Sequence, residues 1–266
     1  MNKSNRKIGV VIGYYNRQYQ LNKTLETLNH QKYDDLHVVI VDDNSNENII
    51  LPKCDFDIKI IKIGNEKQWT NPEPAYNRGF IYLLENTDSE IIMIQNAECY
   101  HVGNVLEYAS IKINNSNYIT FGCYSINYDN TFNFQLNIFD IIKKEINITG
   151  DCTNGWYNHP IYRPKAYEFC SAIHRDNLIK LNGYDERLSL GIGFGDNYIL
   201  HRIKLLNLNI EITENPFVVH QWHNHSHYDY NNINIKNLFN KNENIYNQLI
   251  IENKIRAVHI FTKDLC

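Results

Sequence analysis

Four short apolar runs, each ending in polar residues and separated by stretches of helical character, occupy the first hundred residues and leave few folds open. The runs are Ile8-Gly9-Val10-Val11-Ile12-Gly13, residues 36–41, Ile58-Lys59-Ile60-Ile61-Lys62-Ile63 and Glu90-Ile91-Ile92-Met93-Ile94-Gln95. Leu21, Leu25 and Leu28 recur at helical spacing between the first two, predicting a helix over about 18–31. Pro72 and Pro74 introduce a second helix over about 74–85. Strands that alternate with helices so closely predict a parallel, Rossmann-like sheet.

The second run, Val38-Val39-Ile40-Val41, passes straight into Asp42-Asp43-Asn44-Ser45-Asn46. A continuous β-branched run is the mark of a buried parallel strand. In open α/β sheets ligands bind outside the carboxyl ends of the strands, where this acidic loop would fall. Two carboxylates repel phosphate, so the loop suits a base and ribose or a cation. The fourth run ends in Gln95-Asn96-Ala97-Glu98-Cys99-Tyr100-His101, which offers an amide oxygen and a carboxylate at the same sheet edge. Hard divalent cations take such oxygen ligands and share them with substrate phosphates.

Beyond residue 100 the pattern is looser. Strands are expected at 117–123, 166–173 and 211–220, a helix at 196–206, long loops over 127–165 and a mixed helical tail. No repeat or clean linker interrupts the chain. The expected organisation is therefore one domain over 1–266, with a nucleotide-binding half to about 100, an acceptor-side half over about 101–228 and a helical tail over 229–266.

Composition narrows the function. A net charge of -4 provides no basic field, so nucleic acid is not an expected partner. With 43% hydrophobic and 21% charged residues, the chain can bury a large core. Six cysteines without a Cys-x-x-Cys pair suit reduced thiols. No secretory signal and no apolar stretch of roughly 18 residues is evident, so a membrane span is not expected and a cytoplasmic setting is. Self-association as a homodimer stays open.

With these residues in view, the chain resembles glycosyltransferase family 2, whose members have the GT-A fold and transfer sugars from nucleotide diphosphates. The likeness rests on Val10-Val11-Ile12-Gly13-Tyr14-Tyr15-Asn16-Arg17, Val39-Ile40-Val41-Asp42-Asp43-Asn44-Ser45 and Asn77-Arg78-Gly79. It continues through Leu181-Asn182-Gly183-Tyr184-Asp185-Glu186 and Gly193-Phe194-Gly195-Asp196-Asn197-Tyr198, so that it spans about residues 8–225. It implies an α/β fold of GT-A (Rossmann-like) type, a mixed, mainly parallel central sheet flanked by helices.

By resemblance, Tyr14, Asn16 and Arg17 contact the nucleotide, Asp42 or Asp43 holds uracil or ribose, and Asn77 and Arg78 close over it. Asn96-Ala97-Glu98 stands where an Asp-x-Asp metal motif is usual, one negative charge short. His220, ending the run Phe217-Val218-Val219, is the candidate to complete the metal shell with Glu98. Imidazole favours Mn²⁺ over Mg²⁺, so manganese is the expected cofactor. His223, His225 and His227 alternate, as a separate zinc site would, but a polar loop of chance histidines is the reading adopted.

Asp196 follows a glycine-rich turn where it would cap a helix, and the resemblance makes it the general base of an inverting transfer. The family's usual acidic pair appears as Gly195-Asp196. Asp185 and Glu186 are further carboxylates for the acceptor side, and Trp156, Tyr157, His159 and Trp222 are candidate stacking or hydrogen-bonding surfaces for its sugar rings. The function implied is transfer from a nucleotide-sugar, a UDP-sugar by expectation, to a hydroxyl of a carbohydrate or glycoprotein acceptor. Two rivals stand beside it: a non-catalytic nucleotide-sugar or glycan-binding module, and a sugar nucleotidyltransferase. The second would need a glycine-rich phosphate loop, and Gly13-Tyr14-Tyr15-Asn16 is too bulky for one.

Overall fold

A computed structural model describes residues 6–133, 137–144, 154–224 and 232–265, without the side chains of 143 and 144. The first half follows the sequence closely. Strand β1 (Ile8–Tyr14), helix α1 (Gln18–His30), β2 (Leu36–Asp42), β3 (Asp57–Lys62), α2 (Glu73–Asn86) and β4 (Ile91–Asn96) alternate as the apolar runs predict. β1 pairs in parallel with β2 on one side and β4 on the other, and β2 pairs in parallel with β3. Val10, Val11 and Ile12 are fully buried because α1 covers one face of this sheet and α2 the other. Gly79 lets α2 come in close, since a Cβ there would lie 2.3 Å from Val11 Cγ1.

After β4 the chain forms β5 (Cys99–Val102), α3 (Val105–Lys112), β6 (Asn117–Ser125), α4 (Tyr128–Phe132), α5 (Ile138–Lys144) and β7 (Gly155–Asn158). Then come β8 (Cys170–His174), α6 (Arg175–Leu181), a 3-10 turn at Glu186–Leu188, α7 (Gly195–Leu205), β9 (Asn209–His220) and α8 (Ile233–Glu252). The sheet order is β3-β2-β1-β4-β8-β6-β9-β5, with β7 on β6. β8 runs antiparallel to β4 and β6, while β6 and β9 are parallel. The fold is the expected mixed α/β sheet with helices on its faces.

The region read as loops over 127–165 departs from expectation. It holds α4, α5 and β7, together with the segments outside the described residues. Asn127 caps α4 by accepting the Asn130 N–H, so an asparagine that reads as loop in sequence starts a helix here. The strand expected over 166–173 is shorter, at Cys170–His174, leaving Glu168 and Phe169 on its approach.

This topology puts the site at one sheet edge. The order of strand addition reverses between β1 and β4, outward from β1 to β3 and then back to β4 on the other side, and a crevice opens there at the strands' carboxyl ends. Gly13 and Asn96 are register partners at those ends. Antiparallel pairing of β5 with β9 sets Cys99 opposite His220, and so brings Glu98 beside the end of β9. Among the described residues, no helix is long and apolar enough to cross a membrane. Cys54, Cys99, Cys123 and Cys170 are free thiols.

Candidate active site

Two adjoining chambers open at this edge, one of about 750 Å³ and one of about 250 Å³, and Asn96 and Pro72 line both. The larger is built on the loops after β1, β2 and β4. Tyr14, Arg17, Asp43 and Glu98 line it, with Lys67 and Trp69 from the segment before α2. Asp43 is fixed from two sides: Lys67 Nζ donates to Oδ2 at 2.7 Å, and Trp69 Nε1 donates to Oδ1 at 2.9 Å. Burial pushes the Asp43 carboxyl up, and Lys67 and Trp69 pull it back towards the ionised form.

Gly13 has a clear purpose here. A Cβ would meet the Tyr76 ring at 2.8 Å, so the bare backbone lets Tyr76 lie against β1. The Tyr76 hydroxyl then donates to Asn96 Oδ1 at 3.0 Å. Asn96 is thus oriented at the junction of the chambers.

Glu98, His220 and His223 form a buried group whose candidate ligand atoms lie within 4.8 Å of one another. His220 Nε2 is 3.3 Å and His223 Nε2 is 3.6 Å from Glu98 Oε1, while Arg17 Nη1 donates to Oε2 at 2.7 Å. Burial opposes ionisation of Glu98, but Arg17 and the two histidines outweigh it and hold the carboxyl well below the usual range. The His220 ring is held edge-on by Tyr157 at 5.1 Å and Phe169 at 5.7 Å between centroids. One ionised carboxylate and two imidazoles fit a divalent cation of the Mn²⁺ or Zn²⁺ type. His223 belongs to this group, which corrects its reading in the sequence as a chance histidine of a polar loop; His225 and His227 lie outside the described residues.

The smaller chamber is acidic. Glu73, Glu168 and Asp196 line it, with Tyr76, Tyr184 and Phe169. Asp196 is open to water inside the chamber although protein surrounds it. That enclosure raises its pKa, and a hydrogen bond with Glu168 pulls the other way. Two carboxyl groups that share a hydrogen bond hold one proton between them. Glu168 is the holder: burial pushes it well up and the charge of Asp196 adds to this, outweighing the Tyr184 hydroxyl, whose donation to Oε1 at 2.7 Å works the other way. Glu73, 3% exposed, is pushed up to about 8 by burial, with a further contribution from Asp196.

Several residues expected in the site stand behind it. Asp42 accepts the Ser45 N–H at 2.9 Å and is buried. Asn16 ties the first two loops together, with Oδ1 accepting from Asn46 N and its own N–H donating to Ser45 Oγ. Asn77 is fully buried, donating to Tyr184 O and Glu186 Oε1, both at 2.9 Å. Arg78 lies over the Trp69 ring at 5.4 Å and pairs with Glu66.

On the acceptor side most candidates lie in packed or anchored positions. Trp156 is core, packed edge-on to Tyr124 and against Phe217. Tyr157 is a buried wall for His220, and His159 is buried between Trp156 and Tyr162 rings. Asp185 is occupied by Arg187 and the Val258 N–H. Glu186 accepts from the backbone of Ile260, Phe261 and Thr262. Large aromatics and buried acids at turns are used here for packing and anchoring. Trp222 alone of these aromatics is half-exposed, beside Tyr128 and Phe132 and next in sequence to His223.

Glu73, Glu168, His223, Lys67 and Trp69 were not picked out in the sequence as parts of one site. The pair His220 and His223, three residues apart beyond a strand end, was the available signal for one of them.

A mixed sheet with its cleft at the β1–β4 crevice, walled by acids and a histidine-carboxylate group, is an arrangement of the GT-A fold. The chain belongs to glycosyl transferase family 2, whose description matches residues 9–179. Among solved structures it is similar to the mannosyltransferase PcManGT from Pyrobaculum calidifontis, in complex with GDP-Man and Mn²⁺ (TM-score 0.52, 16% identity, 84% of this chain and 59% of that one). It is also similar to S. aureus TarS 1-349 in complex with UDP-GlcNAc (TM-score 0.56, 14% identity, 83% of this chain and 60% of that one). The chain therefore spans about 60% of the length of these two proteins. No curated protein matches the sequence.

Proposed function

We propose that this protein transfers a sugar from a UDP-sugar to a hydroxyl of a carbohydrate or glycoprotein acceptor, with inversion and with Asp196 as the base. The observation that carries this reading is the pairing of chambers. A larger one with an Asp43 wall and the Glu98–His220–His223 group adjoins a smaller one into which Asp196 opens. Asp43, Tyr14 and Arg17 would hold the nucleotide, and Asn96 would sit where donor sugar and acceptor meet.

Glu98, His220 and His223 would hold a divalent ion, Mn²⁺ in preference to Mg²⁺ on donor chemistry. When bound, such an ion neutralises the diphosphate and stabilises it as a leaving group. The Asp196 carboxylate takes the proton of the acceptor hydroxyl, that oxygen bonds to the anomeric carbon, and the bond from that carbon to the β-phosphate oxygen breaks. Glu168, holding the shared proton, leaves Asp196 ionised for this task. A raised pKa makes Asp196 a stronger base than an ordinary aspartate.

The test is UDP release from a panel of UDP-sugars with Mn²⁺ and candidate glycan acceptors. Asp196→Asn is expected to lower turnover by about a hundredfold or more while UDP binding persists. Unchanged turnover in that variant would remove Asp196 from the reaction. Tight UDP-sugar binding without release by the parent protein would favour a binding module.

A further inference from the structure

Gly195 opens α7 in a backbone conformation that other residues adopt readily, yet the space beside it is taken by the end of a buried carboxyl side chain. A Cβ built on it would lie 2.5 Å from Glu73 Oε1. Glu73 reaches this place from the first turn of α2, more than a hundred residues earlier in the chain. Its carboxyl accepts from Asn71 Nδ2 at 3.1 Å and lies 3.5 Å from Ser189 Oγ. Asn71 in turn grips the loop ahead of α7, accepting the Gly193 N–H at 3.1 Å and donating to Gly193 O at 3.0 Å. Phe194, the next residue, has a left-handed backbone and gives α7 no side-chain cap. The turn that delivers Asp196 is therefore held from α2. On its other side Asp196 is hydrogen-bonded to Glu168.

We infer that Glu73 is a positioning residue for Asp196, its carboxyl occupying the volume beside Gly195 and so fixing the direction in which Asp196 enters the acidic chamber. The inference rests on the reading of Asp196 as the base. Glu73 and Gly195 form a coupled pair: the acid supplies the wall, and the glycine leaves the space for it. Loss of the wall frees both the 189–195 loop and the Asp196 side chain to turn away from the acceptor oxygen. Orientation losses of this kind lower turnover with little effect on donor affinity.

Thermal stability and UDP release are measured on the full chain for Glu73→Ala, Glu73→Gln, Gly195→Ala, the Glu73→Ala/Gly195→Ala double variant and Asp196→Asn. Gly195→Ala is expected to lower the melting temperature of the parent but not that of Glu73→Ala, where the clash is gone. Additive shifts would overturn the coupling. Glu73→Ala is expected to lower kcat for UDP release about tenfold or more with donor KM within about twofold, and Glu73→Gln to recover kcat to within about threefold. A folded Glu73→Ala protein with parental kcat, or a folded Glu73→Gln protein as slow as the alanine variant, would overturn positioning. Failure of the underlying reading looks different, because Asp196→Asn would then keep its turnover. A parent protein that releases no UDP from any UDP-sugar would withdraw both.

Discussion

Glu73 retains its proton to about pH 8 because burial penalises its charged form and the neighbouring Asp196 adds repulsion. An unfolded chain releases the same proton near 4.5. The folded state thus binds more protons between these values, so this group's contribution to stability is complete below about 4.5 and declines as pH rises towards 8. Glu73→Gln keeps the shape and removes the titration. The parent's melting temperature is expected to fall between about pH 5 and pH 8 more steeply than that of Glu73→Gln. Parallel curves would mean that Glu73 is ionised in the fold. At the same scale, His223 supplies one of the three candidate donors of the Glu98–His220–His223 group. His223→Ala is expected to weaken Mn²⁺ binding by at least about tenfold, since even partners one shell further out are worth that much. Calorimetric titration with Mn²⁺ reads the change, and an unaltered affinity would take His223 out of the donor set.

Among the elements, the segment after α8 shows how a carboxylate expected on the acceptor side serves as an anchor. Glu186 accepts three backbone N–H groups from 260–262, and a hydroxyl bond from Thr262 joins them. These bonds press Phe261 onto Trp69 at 5.4 Å, and Trp69 in turn steadies Asp43. A hydrogen bond to a charged group contributes about 1.5–3 kcal/mol, so Glu186→Gln is expected to destabilise the protein by at least a few kcal/mol. Hydrogen exchange should quicken over 257–265, and the tryptophan emission should shift as Phe261 leaves Trp69. A change in stability without either local signal would place the effect elsewhere. Legibility follows the same physics. β1, β2 and β4 were plain in the sequence because strands buried on both faces must be continuous apolar runs, and their ends marked Asp43, Asn96 and Glu98. Asn77, Asp185 and Glu186 fit the motif pattern equally well, but a motif does not reveal whether a polar side chain faces a cavity or a backbone. Glu73 and Glu168 were hidden for the opposite reason. Each is a single acid, one opening a helix and one just ahead of a strand, and only the tertiary fold brings them to Asp196.

Over the whole molecule, the site depends on the C-terminal helix as much as on the sheet. Asn232, which caps α8, and Ile235 and Leu238 within it line the larger chamber. Further along, Asn242 donates to Leu188 O at 2.8 Å and to Gly193 O at 2.9 Å, holding the loop that leads to Asp196. One helix therefore lines the larger chamber and braces a loop of the smaller, so a ligand in the larger one stabilises a segment that also shapes the smaller. Binding to the native state alone raises stability by RT ln(1 + [L]/Kd), about 2.7 kcal/mol at a hundredfold excess over Kd. If UDP with Mn²⁺ occupies the larger chamber, that gain must appear in the segments lining it. Hydrogen exchange of 233–242 and of 188–195 is expected to slow together on adding UDP and Mn²⁺. In Asn242→Ala, which strips the two carbonyl contacts, protection should persist in the helix and fade in the loop. Slowing confined to the loops after β1 and β2 would show that α8 takes no part in holding the donor.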